Sequence, residues 1–147
     1  MFSKDLMDSD TEDRERKTGE ILDMIANNIN ENIQFTWDTP GQNTNNRMPV
    51  LDLACWVTET NEGTLLNYEF YMKHMANSIC LPSNSAICTH TKFNTYRQEA
   101  FRVLTNTAVH LPWSVKVGHL TRLSRRMQLS GYTEGFRVKV INGGLRN

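Results

Sequence analysis

The sequence predicts an α+β fold: an N-terminal helix and a short strand, then a long antiparallel β-hairpin, then a helical lobe. Three observations carry that expectation. Residues 48–73 hold two runs with period-two alternation, MPVLDLACWV and LLNYEFYMK, on either side of the turn-rich TETNEGT. Ahead of them Ile21, Leu22, Ile25 and Ile29 recur at helical spacing, and behind them two further apolar stripes do the same.

In the first run Leu51, Leu53, Cys55 and Val57 form the face expected to be buried, with Val50, Asp52, Ala54 and Trp56 only partly covered. In the second, Tyr68 and Phe70 alternate with Glu69 and Tyr71, and the run ends at Lys73. Asn61, Glu62 and Gly63 supply the chemistry of a long hairpin loop. Residues 1–12 are polar and acidic, which predicts a flexible tail or a detached piece of helix. A helix follows from about Asp13, weakened at Gly19 and stopped by the Asn-rich NINEN. IQFTWD then reads as a short strand with Phe35 and Trp37 on one side, and TPGQNTNNRMP as a loop.

Residues 76–94 have no sustained period and contain Pro82 with several Ser and Asn, the mark of a connector. Thr95 and Gln98 match a capping box that opens a helix with the stripe Ala100, Val103, Leu104 and Thr107. Leu111-Pro112-Trp113 starts the next helix, since proline is tolerated in a first turn. On it Trp113, Val117, Leu120, Leu123 and Met127 share one face, opposite a cationic row of His119, Arg122, Arg125 and Arg126. Gly131 is placed to end that helix. GYTEGFRVKVING stays open: Thr133 could cap a helix, Val138 and Val140 alternate as in a strand, and Gly143-Gly144 ends whichever forms. The organisation expected is a tail over 1–12, an α+β unit over 13–75, a connector over 76–94 and a helical lobe over 95–147.

Charge is distributed unevenly. The chain has 16 Lys and Arg and 16 Asp and Glu, but residues 1–90 hold 6 of those bases and 14 of those acids, leaving 10 bases and 2 acids for residues 91–147. A basic half suits a polyanion, because Lys and Arg displace counterions from phosphates; charge alone fits equally a basic half that docks on the acidic half. With 147 residues the chain can build one modest core or two small lobes. No apolar run is long enough to span a bilayer and the first residues lack the core of a secretory signal, so an intracellular protein of cytoplasm or nucleus, without a membrane partner, is expected.

Cys55, Cys80 and Cys88 are odd in number and fit no disulfide framework, so free thiols are expected. A metal site from Cys80, Cys88, His90 and His74 has no common zinc spacing, and neither metal nor cofactor is expected. No nucleophile with its base, phosphate loop or paired-carboxylate motif is legible, so no catalytic residue is assigned. Asp52 interrupts an apolar strand and reads first as an outward-facing or turn-bonded residue, second as a catalytic acid. Tyr68, Phe70 and Tyr71 read as core before they read as stacking surfaces for bases.

The blocks IQFTWD, RMPVLDLACWV, YEFYMKHM, RQEAFRVLTNT and LPWSVKVGHLTRLSRRMQLSGYTEGFR, in that order from about Arg14 to Leu145, resemble the C-terminal part of a retroelement reverse transcriptase, of a Penelope-like or related retrotransposon. The resemblance implies that the hairpin is similar to a primer grip at the palm edge and that the helices after Thr95 are thumb-like. The family's Asp-Asp pair has no counterpart, since no two Asp are adjacent here, so the resemblance implies binding without polymerisation. It implies Lys73, Lys92, Arg97, Lys116, His119, Arg122 and Arg126 as contacts to an RNA/DNA or DNA duplex, with the rest of a polymerase as a partner if a longer product exists. The expected function is therefore a catalytically silent reverse-transcriptase segment. The alternative is an interaction module whose acidic and basic halves pair within or between chains.

Overall fold

The computed structural model describes residues 4–30, 32–36, 38–73 and 80–146. The chain divides into two compact units, Met1–Met48 and Pro49–Asn147. Among the described residues the order is one helix, a three-stranded antiparallel sheet and three helices, an α+β arrangement.

In the first unit a helix, α1, runs Lys4–Asn27. It begins well before Asp13, so residues 4–12 are helical rather than a tail. Asn27 closes the C-terminal end, its side chain accepting from the amide of Phe35 and donating to the carbonyl of Phe35 at 3.1 Å. That use of side-chain hydrogen bonds replaces a ladder. Residues 32–36 form no strand, and Trp37, which the expected strand needed, lies outside the described residues. Pro40–Gln42 and Thr44–Asn46 are short 3₁₀ turns in the expected loop.

The next elements are a meander of β1 (Met48–Val50), β2 (Leu53–Thr60) and β3 (Gly63–Phe70) in that order. The expected first strand is thus broken at Leu51-Asp52, where Leu51 adopts φ +55° and is 90 % exposed. The break flips the pattern: Ala54 is buried while Val57 is exposed, the reverse of the alternation read through an unbroken run. β2 and β3 pair from Leu53 opposite Phe70 to Thr60 opposite Gly63, leaving a two-residue turn, Asn61-Glu62, where a longer loop was expected. Beyond the sheet, residues 74–79, with His74 and the boundary expected near 75, lie outside the described residues.

The helical lobe consists of α2 (Thr89–Thr105), α3 (Trp113–Leu129) and α4 (Glu134–Leu145). Cys88, not Thr95, precedes the first of these; Thr95 sits inside α2 and donates its hydroxyl back to the Thr91 carbonyl at 2.9 Å. α3 starts at Trp113 with Pro112 at its N-cap, just ahead of the first-turn position expected for it. Gly131, at φ +87°, ends α3 with Gly131 N–H on the Gln128 carbonyl and Tyr132 N–H on the Met127 carbonyl, the paired bonds of a Schellman motif. Of the two readings of 131–143, the helix forms, and the Thr133 hydroxyl accepts from the Phe136 amide at 3.4 Å.

The core is Tyr96, Ala100, Val103, Leu120, Leu123, Met127, Tyr132 and Val140, contributed by all three helices and the α3–α4 turn. Tyr96, Tyr132 and Phe136 pack ring against ring, with Tyr132 stacked on Phe136 at 4.6 Å and edge-on to Tyr96 at 5.1 Å. Gly144 lies against Ala100 so closely that a Cβ there would meet the Ala100 Cβ at 2.7 Å. Gly143-Gly144 is therefore a close-approach surface inside α4 and not a stop signal.

Candidate functional site

The edge of β3 is tied to the lobe by short-range bonds. The Ala108 amide donates to the Tyr68 carbonyl at 2.9 Å, and the Phe70 amide to the Thr107 hydroxyl at 3.4 Å. These bonds hold the end of the ribbon against the α2–α3 corner. Between them opens a cleft of about 200 Å³, whose walls include Phe70, Tyr71 and Met72 on one side and Glu99, Arg122 and Arg126 on the other. It continues past Asp52 and Arg102 to Lys73.

Helical geometry explains which α3 side chains reach it. At 100° per residue Leu120, Leu123 and Met127 point to the core, while His119, Arg122 and Arg126 lie on the adjacent flank. The expected cationic row is thus split: Arg122 is exposed, Arg126 is half-buried with its Nε lacking a hydrogen-bond partner, and His119 is buried. His119 Nε2 lies 3.4 Å from Glu69 Oε2 and its ring meets Phe70 edge-on at 5.9 Å. Burial lowers the His119 pKa, nearby Glu69 opposes that, and Arg122 adds to it. A buried imidazole facing a carboxylate packs sheet on helix; it does not project toward a phosphate.

Arg102 braces the cleft from α2. Its guanidinium forks on Glu99 with two bonds of 3.0 Å, reaches Asp52 Oδ2 at 2.6 Å and lies over the Phe70 ring at 5.3 Å. Asp52 is therefore bonded at a turn, as first read: its carboxylate takes Arg102 and its carbonyl takes the Tyr71 amide at 2.7 Å.

Of the seven expected contact residues, Lys73, His119, Arg122 and Arg126 line this cleft and three do not. Lys92 is buried, its Nζ donating to the Ser83 and Ser85 carbonyls at 2.7 Å each, so it fastens the segment before α2 and has no free charge to offer a duplex. Arg97 is half-buried, its stem set beside Gly143 of α4. Lys116 sits 5.9 Å over the Trp113 ring on another flank of α3. Sequence reasoning missed Glu69, Glu99 and Arg102 as cleft residues; the Glu99–Arg102 spacing of three on a helix was the available signal.

The cleft lining brings Lys73, Arg122 and Arg126 together with the carboxylates of Asp52, Glu69 and Glu99. Among the described residues no group of three His, Cys, Asp or Glu could hold a metal ion, and the three cysteines are unpaired. No described helix is long and apolar enough to cross a membrane. No family model, curated protein or solved structure matches the chain.

Proposed function

We propose that the chain is a non-catalytic, duplex-binding segment of a reverse-transcriptase-like polymerase, its ribbon acting as a palm edge and its helices as a thumb. The observation that carries this reading is the cleft: a β-ribbon end and one flank of α3 border a common opening with Lys73, Arg122 and Arg126 on its rim. Three cations in that setting would grip a sugar-phosphate backbone without reading bases, and an RNA/DNA or DNA duplex is the ligand.

Titration of a labelled duplex at two salt concentrations tests it. Three phosphate contacts predict an affinity that falls about 40-fold between about 50 and 200 mM salt. Absence of binding, or binding indifferent to salt, overturns the reading, and nucleotide incorporation with magnesium and a primer-template would overturn its non-catalytic part. A second reading, an interaction module of paired acidic and basic parts, draws on the Arg102–Asp52 contact, in which an acid of residues 1–90 meets a base of residues 91–147. It predicts no duplex binding.

A further inference from the structure

α3 presents a third flank, neither core nor cleft. Trp113, Val117 and Thr121 lie there, and with Val138, Ile141 and Leu145 of α4 they line an apolar groove of about 370 Å³. Trp113 is 56 % exposed and Val138 51 %, so the groove displays large apolar side chains to solvent. The spacing puts Trp113 and Val117 on one face with Leu120, Leu123 and Met127, but the lobe closes over the last three and leaves these two outside.

A second apolar surface is of matching kind. On α1, Ile21, Leu22, Ile25 and Ile29 are all more than half exposed, forming one stripe along the last turns of the helix and just beyond it. α1 carries 8 acids against 4 bases. α3 and α4 together carry 6 Lys and Arg against the single acid Glu134. An acidic amphipathic helix and an apolar groove in a basic pair of helices are complementary in shape class, hydrophobicity and charge.

We infer that the α3–α4 groove receives the apolar stripe of α1 from a second copy of this chain. Reciprocal exchange, α1 of each copy in the groove of the other, gives a closed two-fold dimer in which both exposed surfaces are covered twice. The groove uses a different flank of α3 from the cleft, so the inference stands apart from duplex binding.

Sedimentation equilibrium of the full chain tests it, with Ile25→Asp, Val138→Asp and an equimolar mixture of the two. The wild type should sediment as a concentration-dependent dimer, and each variant alone should raise the dissociation constant at least tenfold. The mixture should recover association, because an intact stripe on one chain still meets an intact groove on the other. Both side chains are exposed, so neither variant empties the core; should circular dichroism show helix loss, Ile25→Ser and Val138→Ser take their place. A wild type that is monomeric at every concentration overturns the proposal. So does a dimer that ignores both variants, as ribbon-edge pairing would, or a mixture that associates no better than its parts.

Discussion

Replacing Gly144 by alanine would place a Cβ 2.7 Å from the Ala100 Cβ and 3.4 Å from the Ala100 carbonyl carbon and the Phe101 amide nitrogen. Carbon atoms in contact prefer about 3.5–4.0 Å, so the shortfall is about 1 Å. Ala100 has no rotamer to turn away and is fully buried, so α2 and α4 must part locally. Overpacking of this kind costs about 1–3 kcal/mol, against which alanine's better helix propensity returns about 1 kcal/mol. The net expectation is a loss of about 0–2 kcal/mol. In urea, with a slope of about 2 kcal/mol per molar, the midpoint should fall by up to about 1 M at unchanged slope. Adding Ala100→Gly removes the opposing methyl, and a double-mutant cycle should then give a favourable coupling of at least about 0.5 kcal/mol. If Gly144→Ala raised the midpoint, or the two changes were simply additive, the close crossing of α2 and α4 would be refuted.

Lys92→Met removes the cation that caps two carbonyls, which should cost about 1–3 kcal/mol while leaving duplex affinity unchanged; a fall in affinity with stability intact would return Lys92 to the binding surface. Burial lowers the His119 pKa, so as pH falls the unfolded chain takes up a proton that the folded chain resists. Stability should therefore be level above a pH of about 6.5 and decline below it, and His119→Gln should flatten that decline in urea midpoints between about pH 5.5 and 7.5. An identical decline in both proteins would remove His119 as its source.

Long-period features were legible in the sequence. The stripe of α2, the Leu120, Leu123 and Met127 part of the α3 stripe, the ribbon and the Gly131 stop each rest on local periodicity or a single backbone requirement, and each is present in the structure. What escaped depended on partners distant in the chain. The strand expected at residues 33–38 had suitable residues, but no strand forms over the described residues 33–36, and Asn27 takes the Phe35 backbone instead. Leu51 hides a chain reversal under a strand-like run, because no Gly or Asn marks the positive φ there. Gly143-Gly144 reads as a breaker until Ala100 of another helix is seen against it. The site divided in the same way. The α3 spacing put Arg122 and Arg126 on one flank, but burial of Lys92 and His119 was decided by the Ser83 and Ser85 carbonyls and by Glu69, which spacing cannot show.

On the proposed function the cleft rim grips phosphates. The measurement that bears on it most directly is the salt dependence of duplex affinity for the wild type beside Arg122→Gln/Arg126→Gln. Loss of two phosphate contacts should make the slope of log affinity against log salt shallower by about 2, with folding unchanged by circular dichroism. Equal slopes in the two proteins would contradict the assignment of Arg122 and Arg126 to a phosphate-facing rim.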